Sequence, residues 1–417
     1  MRTLRLGTVV VLLAAAVGCS SINHVDTLPD GSEMTFAGLR DHFGAHPALH
    51  VLQTHGMGDH PAADLCAPGG LNLKLQDRIA ERLNFKVLPE FAAPATQSIL
   101  RDGVEVGSYS TRVFVDDLQR PSRQLYFSCV TWGEASRLIK RELLELDGDF
   151  LETNPHEGRR AFINRKAKQF VNRSFSDPVI YVGEFGPFIR ETVREGIARI
   201  DAAQSHNRMG LVQRYPALVQ AAPAPATQSF VASTPMAVIT DSLGSRVLFD
   251  VLWPRAGTSA QNDEFALHGD SDRAASDRAL QRAGQQVRAI YMLANQLPLL
   301  ALAELKPPPQ GQPLDRWARQ SPCLMPPQAL AELKALRPSE PALTLVAFTD
   351  VNDALSYRLS DKFKQRCAPP GSGLSIVNVT LTNTRAWFGL YANLIEAHAD
   401  GFKHNEDAIG YVVEGNK

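Results

Sequence analysis

The chain has 417 residues, with 43 lysines and arginines against 44 aspartates and glutamates, a formal net charge of −1. That balance argues against nucleic acid or another polyanion as a partner. The length suffices for a large core, and beyond the first twenty residues no run is long and apolar enough to span a membrane.

The N-terminus reads as a targeting segment. Arg2 and Arg5 precede an apolar stretch, Leu6 to Val17, too short for a comfortable transmembrane helix. It ends in Ala16-Val17-Gly18-Cys19-Ser20-Ser21, which resembles a bacterial lipoprotein lipobox with Cys19 as the lipidated residue. The resemblance implies a signal peptide over 1–18, a membrane anchor, and the periplasmic face of the outer membrane as the address. Residues 19–46 are polar and are expected to be a tether, leaving 47–417 as the folded domain. Cys66, Cys129, Cys323 and Cys367 remain. They allow up to two disulfides in an oxidising compartment, with three connectivities open. Cys129 lies in an apolar run and reads equally as a small buried hydrophobe.

Leu49 to Thr54 is a predicted strand running into the glycine-rich turn His55-Gly56-Met57-Gly58. Leu71 to Leu83 has helical spacing, with Leu73, Leu75, Ile79 and Leu83 near one face. Thr111 to Val115 and Gln124 to Trp132 are further strands. Residues 133–230 are expected to hold crossover helices plus a cap insertion. The chain then offers strands at Met236–Thr240, Val287–Leu293, Leu343–Phe348 and Leu374–Val379, a polar helical stretch before Gln285, a proline-rich insertion over 303–340, and a helix over Trp387 to Glu396. Alternating strand and helix signals predict an α/β fold with a mostly parallel central sheet and helices on both faces.

The apolar run at Met236 stops at Thr240-Asp241-Ser242-Leu243-Gly244, and an amphipathic helix follows. A strand that turns sharply into a helix at a serine holds the hydroxyl out over the sheet edge. Such a hydroxyl becomes a nucleophile only with a base and an oxyanion site around it. These residues resemble the nucleophile elbow of serine α/β-hydrolases, with threonine at 240 where that pattern has glycine. His55-Gly56-Met57-Gly58 is similar to the oxyanion loop of the same superfamily, which implies the amides of Met57 and Leu243 as oxyanion donors. Asp353, just past a strand that follows the nucleophile, resembles the family's acid, with Asp350 as the alternative. Ala397-His398-Ala399-Asp400-Gly401 resembles its terminal histidine loop, with His404 as the alternative to His398. The order Ser242, Asp353, His398 is the order that fold uses.

The resemblance implies an α/β-hydrolase fold and a serine esterase or lipase-like activity on a small-molecule or lipid ester, without cofactor or metal. Two other readings stand beside it: an acyltransferase on the same triad, and a non-enzymatic envelope lipoprotein with a hydrolase-like body. A third reading, a metal loop of the metallo-β-lactamase type at His55 to His60, has Met57 where a histidine ligand belongs. A thioether is a poor ligand for such a dication.

Overall fold

The apolar runs of this chain become strands because most of them are covered on both faces. An interior parallel strand has no solvent side, so it needs no polar alternation. The computed structural model describes residues 22–44, 46–58, 60, 62–144, 160–214, 234–255, 270–305, 310–311, 323–338, 341–384, 397–398 and 401–417. The strands are β1 (Asn23–Val25), β2 (Phe36–Ala37), β3 (Ala48–Thr54), β4 (Lys86–Val87), β5 (Gln97–Arg101), β6 (Val104–Val115), β7 (Gln124–Thr131), β8 (Met236–Asp241), β9 (Val287–Leu293), β10 (Leu343–Asp350), β11 (Leu374–Leu381) and β12 (Gly415–Asn416). The helices are α1 (Leu39–Phe43), α2 (Ala62–Leu65), α3 (Leu71–Leu83), α4 (Gly133–Leu143), α5 (Phe162–Phe170), α6 (Ser176–Val182), α7 (Gly186–Arg214), α8 (Gly244–Leu252), α9 (Asp270–Gln286), α10 (Leu297–Ala301), α11 (Pro327–Leu336), α12 (Asp361–Cys367), α13 (Gly401–His404) and α14 (Glu406–Glu414).

The main sheet has the order β1-β11-β10-β9-β8-β3-β7-β6-β4, with β5 also paired to β6. Six neighbours, from β11 through β7, run parallel. β6 turns antiparallel, as does β1 at the other edge. The fold is therefore α/β with a mostly parallel mixed sheet. After β3 the chain places β7 on one side and β8 on the other. That reversal opens a crevice at the carboxyl ends of β3 and β8, the usual place for a ligand in an open α/β sheet.

Alternate residues of each strand feed two separate cores. Val238, Ile290, Met292 and Leu345 pack on one face with Ile189 and Val193 of α7 and Val247 of α8. Ala237, Ile239, Tyr291 and Val346 pack on the other with Leu75, Ile79 and Leu83 of α3 and Ile409 of α14.

Three sequence expectations change. Residues 22–46 are not a free tether. β1 pairs with β11 and β2 with β12. Val25, Leu39 and Phe43 are 0–2% exposed; each such side chain gains about 1.5–3 kcal/mol on burial, which holds the segment to the body. Cys129 is not a lone buried hydrophobe: it pairs with Cys66, and Cys323 pairs with Cys367, at Cα separations of 5.8 and 5.4 Å. The strand read at Thr111 is the second half of the twelve-residue β6. The second disulfide joins Cys323, in the expected proline-rich insertion, to the last residue of α12. The segment expected to be a signal peptide, Cys19 and the helix read over Trp387 to Glu396 lie outside the described residues, as do parts of both expected insertions.

Candidate active site

β8 ends at Asp241, and the backbone reverses into α8 through Ser242. Ser242 has φ 51°, the left-handed region. A non-glycine residue there costs about 1–2 kcal/mol. The turn is held in that state by the Ser242 N–H donating to Leu293 O at 2.8 Å and by α8 starting at once. Thr240, the departure from the expected glycine, is fully buried. Its hydroxyl meets the Ser245 hydroxyl at 2.7 Å, so the larger side chain is satisfied by a partner one helical turn away.

Ser242 Oγ lies 2.8 Å from His398 Nε2, and His398 Nδ1 lies 2.7 Å from Asp353 Oδ2. The carboxylate can only accept, so Nδ1 carries the proton. Nε2 is then the acceptor, and the serine hydroxyl donates to it. The second carboxylate oxygen of Asp353 accepts the Leu355 N–H at 2.9 Å, which fixes the group's rotation. Ser242, Asp353 and His398 are 1%, 9% and 9% exposed, so the three groups meet out of bulk water.

Asp350 and His404 are not brought to Ser242. Asp350 instead organises the loop that carries the imidazole. It accepts the N–H groups of Asn352, at 2.6 Å, and of Asn383. The Asn383 amide then donates to Ala397 O at 3.1 Å, next to His398. Burial raises the Asp350 carboxyl above the usual range, and the two N–H bonds oppose that. His404 is exposed at the end of α13. Its neighbour Lys403 turns inward to Asp241 at 2.6 Å, both side chains being 5% exposed or less. That ion pair ties the histidine segment to the residue before Ser242.

The loop after β3 packs on the elbow. A Cβ on Gly56 would lie 2.6 Å from Ser242 Cβ and 2.7 Å from Asp241 O. A Cβ on Gly244 would lie 2.3 Å from His55 O. Only glycines permit this approach. Neither the Met57 nor the Leu243 amide has a hydrogen-bond acceptor among the described residues. The Met57 side chain is 7% exposed, and its sulfur accepts from Gln296 Nε2 at 3.7 Å.

His55 fixes this loop. Its Nδ1–H donates to Gly56 O at 2.7 Å, and its Nε2 accepts the Trp132 N–H at 3.0 Å. The ring stacks on the Trp132 indole with centroids 4.7 Å apart. Burial holds its pKa well below the ordinary imidazole value. With both nitrogens engaged, His55 has no lone pair for a dication. Among the described residues no group of three or more histidine, cysteine, aspartate or glutamate side chains is gathered as metal ligands would be.

Several residues at this site carry no local sequence signal. Trp132 follows a strand like any apolar terminus. Asp241, Lys403 and Asn383 look like surface polar residues until the fold buries the first two and half-buries the third. A lysine or aspartate reads as solvated unless its partner is known. Comparison of the chain with family models, with curated proteins and with solved structures finds no match in any of the three.

Proposed function

We propose that this protein is a serine hydrolase that cleaves carboxylic esters through an acyl-enzyme. The observation that carries the reading is the hydrogen-bonded chain Ser242–His398–Asp353 at 2.8 and 2.7 Å, set on a strained strand-to-helix turn.

In this mechanism the Ser242 hydroxyl attacks an ester carbonyl while His398 Nε2 takes its proton. Asp353 holds the ring in the Nδ1–H tautomer and stabilises the imidazolium. The carbonyl oxygen becomes negative and is met by the Met57 and Leu243 amides, which have no acceptor to give up among the described residues. The imidazolium returns its proton to the leaving alcohol as the tetrahedral species collapses. A water then repeats the sequence against the acyl-serine, with the same imidazole as base, and releases the acid.

The reading extends to location. The lipobox-like Cys19 would anchor the enzyme in the envelope, and a lipid or amphiphilic ester would be at hand there. Pairing of the other four cysteines supports an oxidising compartment.

A fluorophosphonate probe and a series of p-nitrophenyl esters of rising chain length test the proposal. The wild-type protein is expected to label and to turn over; Ser242→Ala is expected to do neither while melting at the wild-type temperature. Esterase activity surviving in Ser242→Ala would overturn the site. An unlabelled, inactive wild type would favour the non-enzymatic reading. Product analysis with an added alcohol separates hydrolysis from acyl transfer, and Cys19→Ala should release the protein from membranes.

A further inference from the structure

Two ionisable side chains of the helical insertion are wholly buried and absent from the mechanism above. Asp177, in α6, is 0% exposed, and Lys140, in α4, is 1% exposed. Their Nζ and Oδ1 atoms are 2.8 Å apart. Lys140 Nζ also donates to Arg173 O at 2.8 Å. The other oxygen of Asp177 accepts the Gly58 N–H at 2.7 Å. Gly58 directly follows Met57 in the loop after β3.

α4 meets the same loop directly. Gly133, Ser136 and Lys140 are spaced i, i+3, i+7 and form one buried stripe. A Cβ on Gly133 would sit 2.9 Å from His60 O and 3.3 Å from His55 Cε1. The Ser136 hydroxyl donates to Gly133 O at 3.1 Å, within the same stripe. The loop is thus pinned twice. At His55 it is held by Trp132 N–H, from the turn into α4. At Gly58, with φ 137°, it is held by Asp177.

Stability alone gives little reason for this pair. A buried ion pair is often no better than two apolar side chains of the same volume, because desolvation offsets the attraction. An apolar pair here would, however, leave the Gly58 N–H without its acceptor and the loop held at one end only. Burial pushes the Asp177 carboxyl up, opposed by the Lys140 ammonium and the Gly58 N–H.

We propose that Asp177 is a positioning residue for the oxyanion loop: its carboxylate fixes the Gly58 amide, and so the peptide that aims Met57 N–H, while Lys140 keeps the carboxylate in place. The helical segment after β7 therefore reaches the reaction through hydrogen bonds. This rests on the serine hydrolase reading.

Two double variants isolate the acceptor. Lys140→Met with Asp177→Asn removes both charges and keeps a carbonyl oxygen for Gly58. Lys140→Met with Asp177→Leu keeps the branched shape of the side chain and has no acceptor. Each is assayed per active site, titrated by the fluorophosphonate burst, and each is also tested for inhibition by a phenylboronic acid, whose serine adduct places an oxyanion in the same hole. The Asn variant is expected to keep kcat within about threefold of wild type. The Leu variant is expected to lose kcat by about tenfold to a hundredfold, since a displacement near 1 Å costs on that scale. Its KM should stay within about threefold, and its boronate inhibition constant should rise in step with the kcat loss. A general structural role would lower the titrated fraction and the melting temperature while leaving kcat per site intact. Equal kcat and boronate affinity in the two variants would overturn the assignment. A wild type that fails to label sinks the hydrolase reading instead, so the two failures are distinguishable.

Discussion

Gly56→Ala puts the proposed oxyanion loop under direct strain. The new methyl would sit 2.6 Å from Ser242 Cβ and 2.7 Å from Asp241 O. Ordinary contact between such atoms begins near about 3.5 Å, so the overlap approaches about 0.8 Å, and neither neighbour is the free end of a flexible side chain. Ser242 is fixed by its bond to Leu293 O and by the start of α8, so the loop must yield. Its other end is held by Asp177, so the strain concentrates at Gly56 and Met57. Overpacking of this kind costs about 1–3 kcal/mol of stability, and a Met57 amide displaced by the same distance lowers kcat by about a hundredfold. The assay pairs a urea denaturation curve with p-nitrophenyl ester kinetics. The expected outcome is a fall in kcat larger than the population of unfolded protein explains, with the boronate inhibition constant rising to match. Wild-type kcat in a folded Gly56→Ala protein would refute the reasoning, because the donor would then not be on this loop.

Asp353→Asn should retain the Ser242–His398 spacing but favour the wrong tautomer, cutting kcat by about a thousandfold to ten-thousandfold in ester turnover assays. Buried histidines make the fold acid-sensitive: burial holds His42 at about 4 and His50 at about 3, and neither His50 nitrogen has a hydrogen-bond partner. The unfolded chain binds more protons below the ordinary imidazole value, so stability is full above about pH 6.5 and is lost as the pH falls. Each group should contribute about 2 kcal/mol of loss between pH 7.5 and 5, and His50→Leu should flatten the pH–stability curve, read from urea midpoints, by about one group's share. Opening both disulfides by Cys→Ser substitution releases loops spanning 63 and 44 residues; chain entropy puts each at about 4 kcal/mol, so a fall in urea midpoint is expected from either change, and an unaltered midpoint would count against that pairing.

The sheet's interior was legible because parallel strands covered on both faces are continuous apolar runs. β9 matches its sequence pattern, β8 extends its own by one residue, and β10 and β11 extend theirs by two. Its margins were not. β5 exposes most of its residues, and β1, β2 and β4 are two or three residues long, held by neighbours that the local sequence does not reveal. The elbow is a local feature, so the chain around Ser242 displays it. The choice between Asp350 and Asp353 depends on how the turn at Val351-Asn352 aims two carboxylates, which residue spacing cannot supply. The buried pairs Lys140–Asp177 and Asp241–Lys403 were invisible because each side chain taken alone is an ordinary surface charge.

The folding of residues 22–46 onto the edge of the sheet shortens the leash. With Cys19 as the proposed lipidated residue, only four peptide units separate it from Asn23, where β1 zips onto β11. Four units span at most about 14 Å. A mooring that short holds one rim of the enzyme against the headgroups and leaves little freedom to swing, so the direction from which an ester enters would be set by attachment as much as by diffusion.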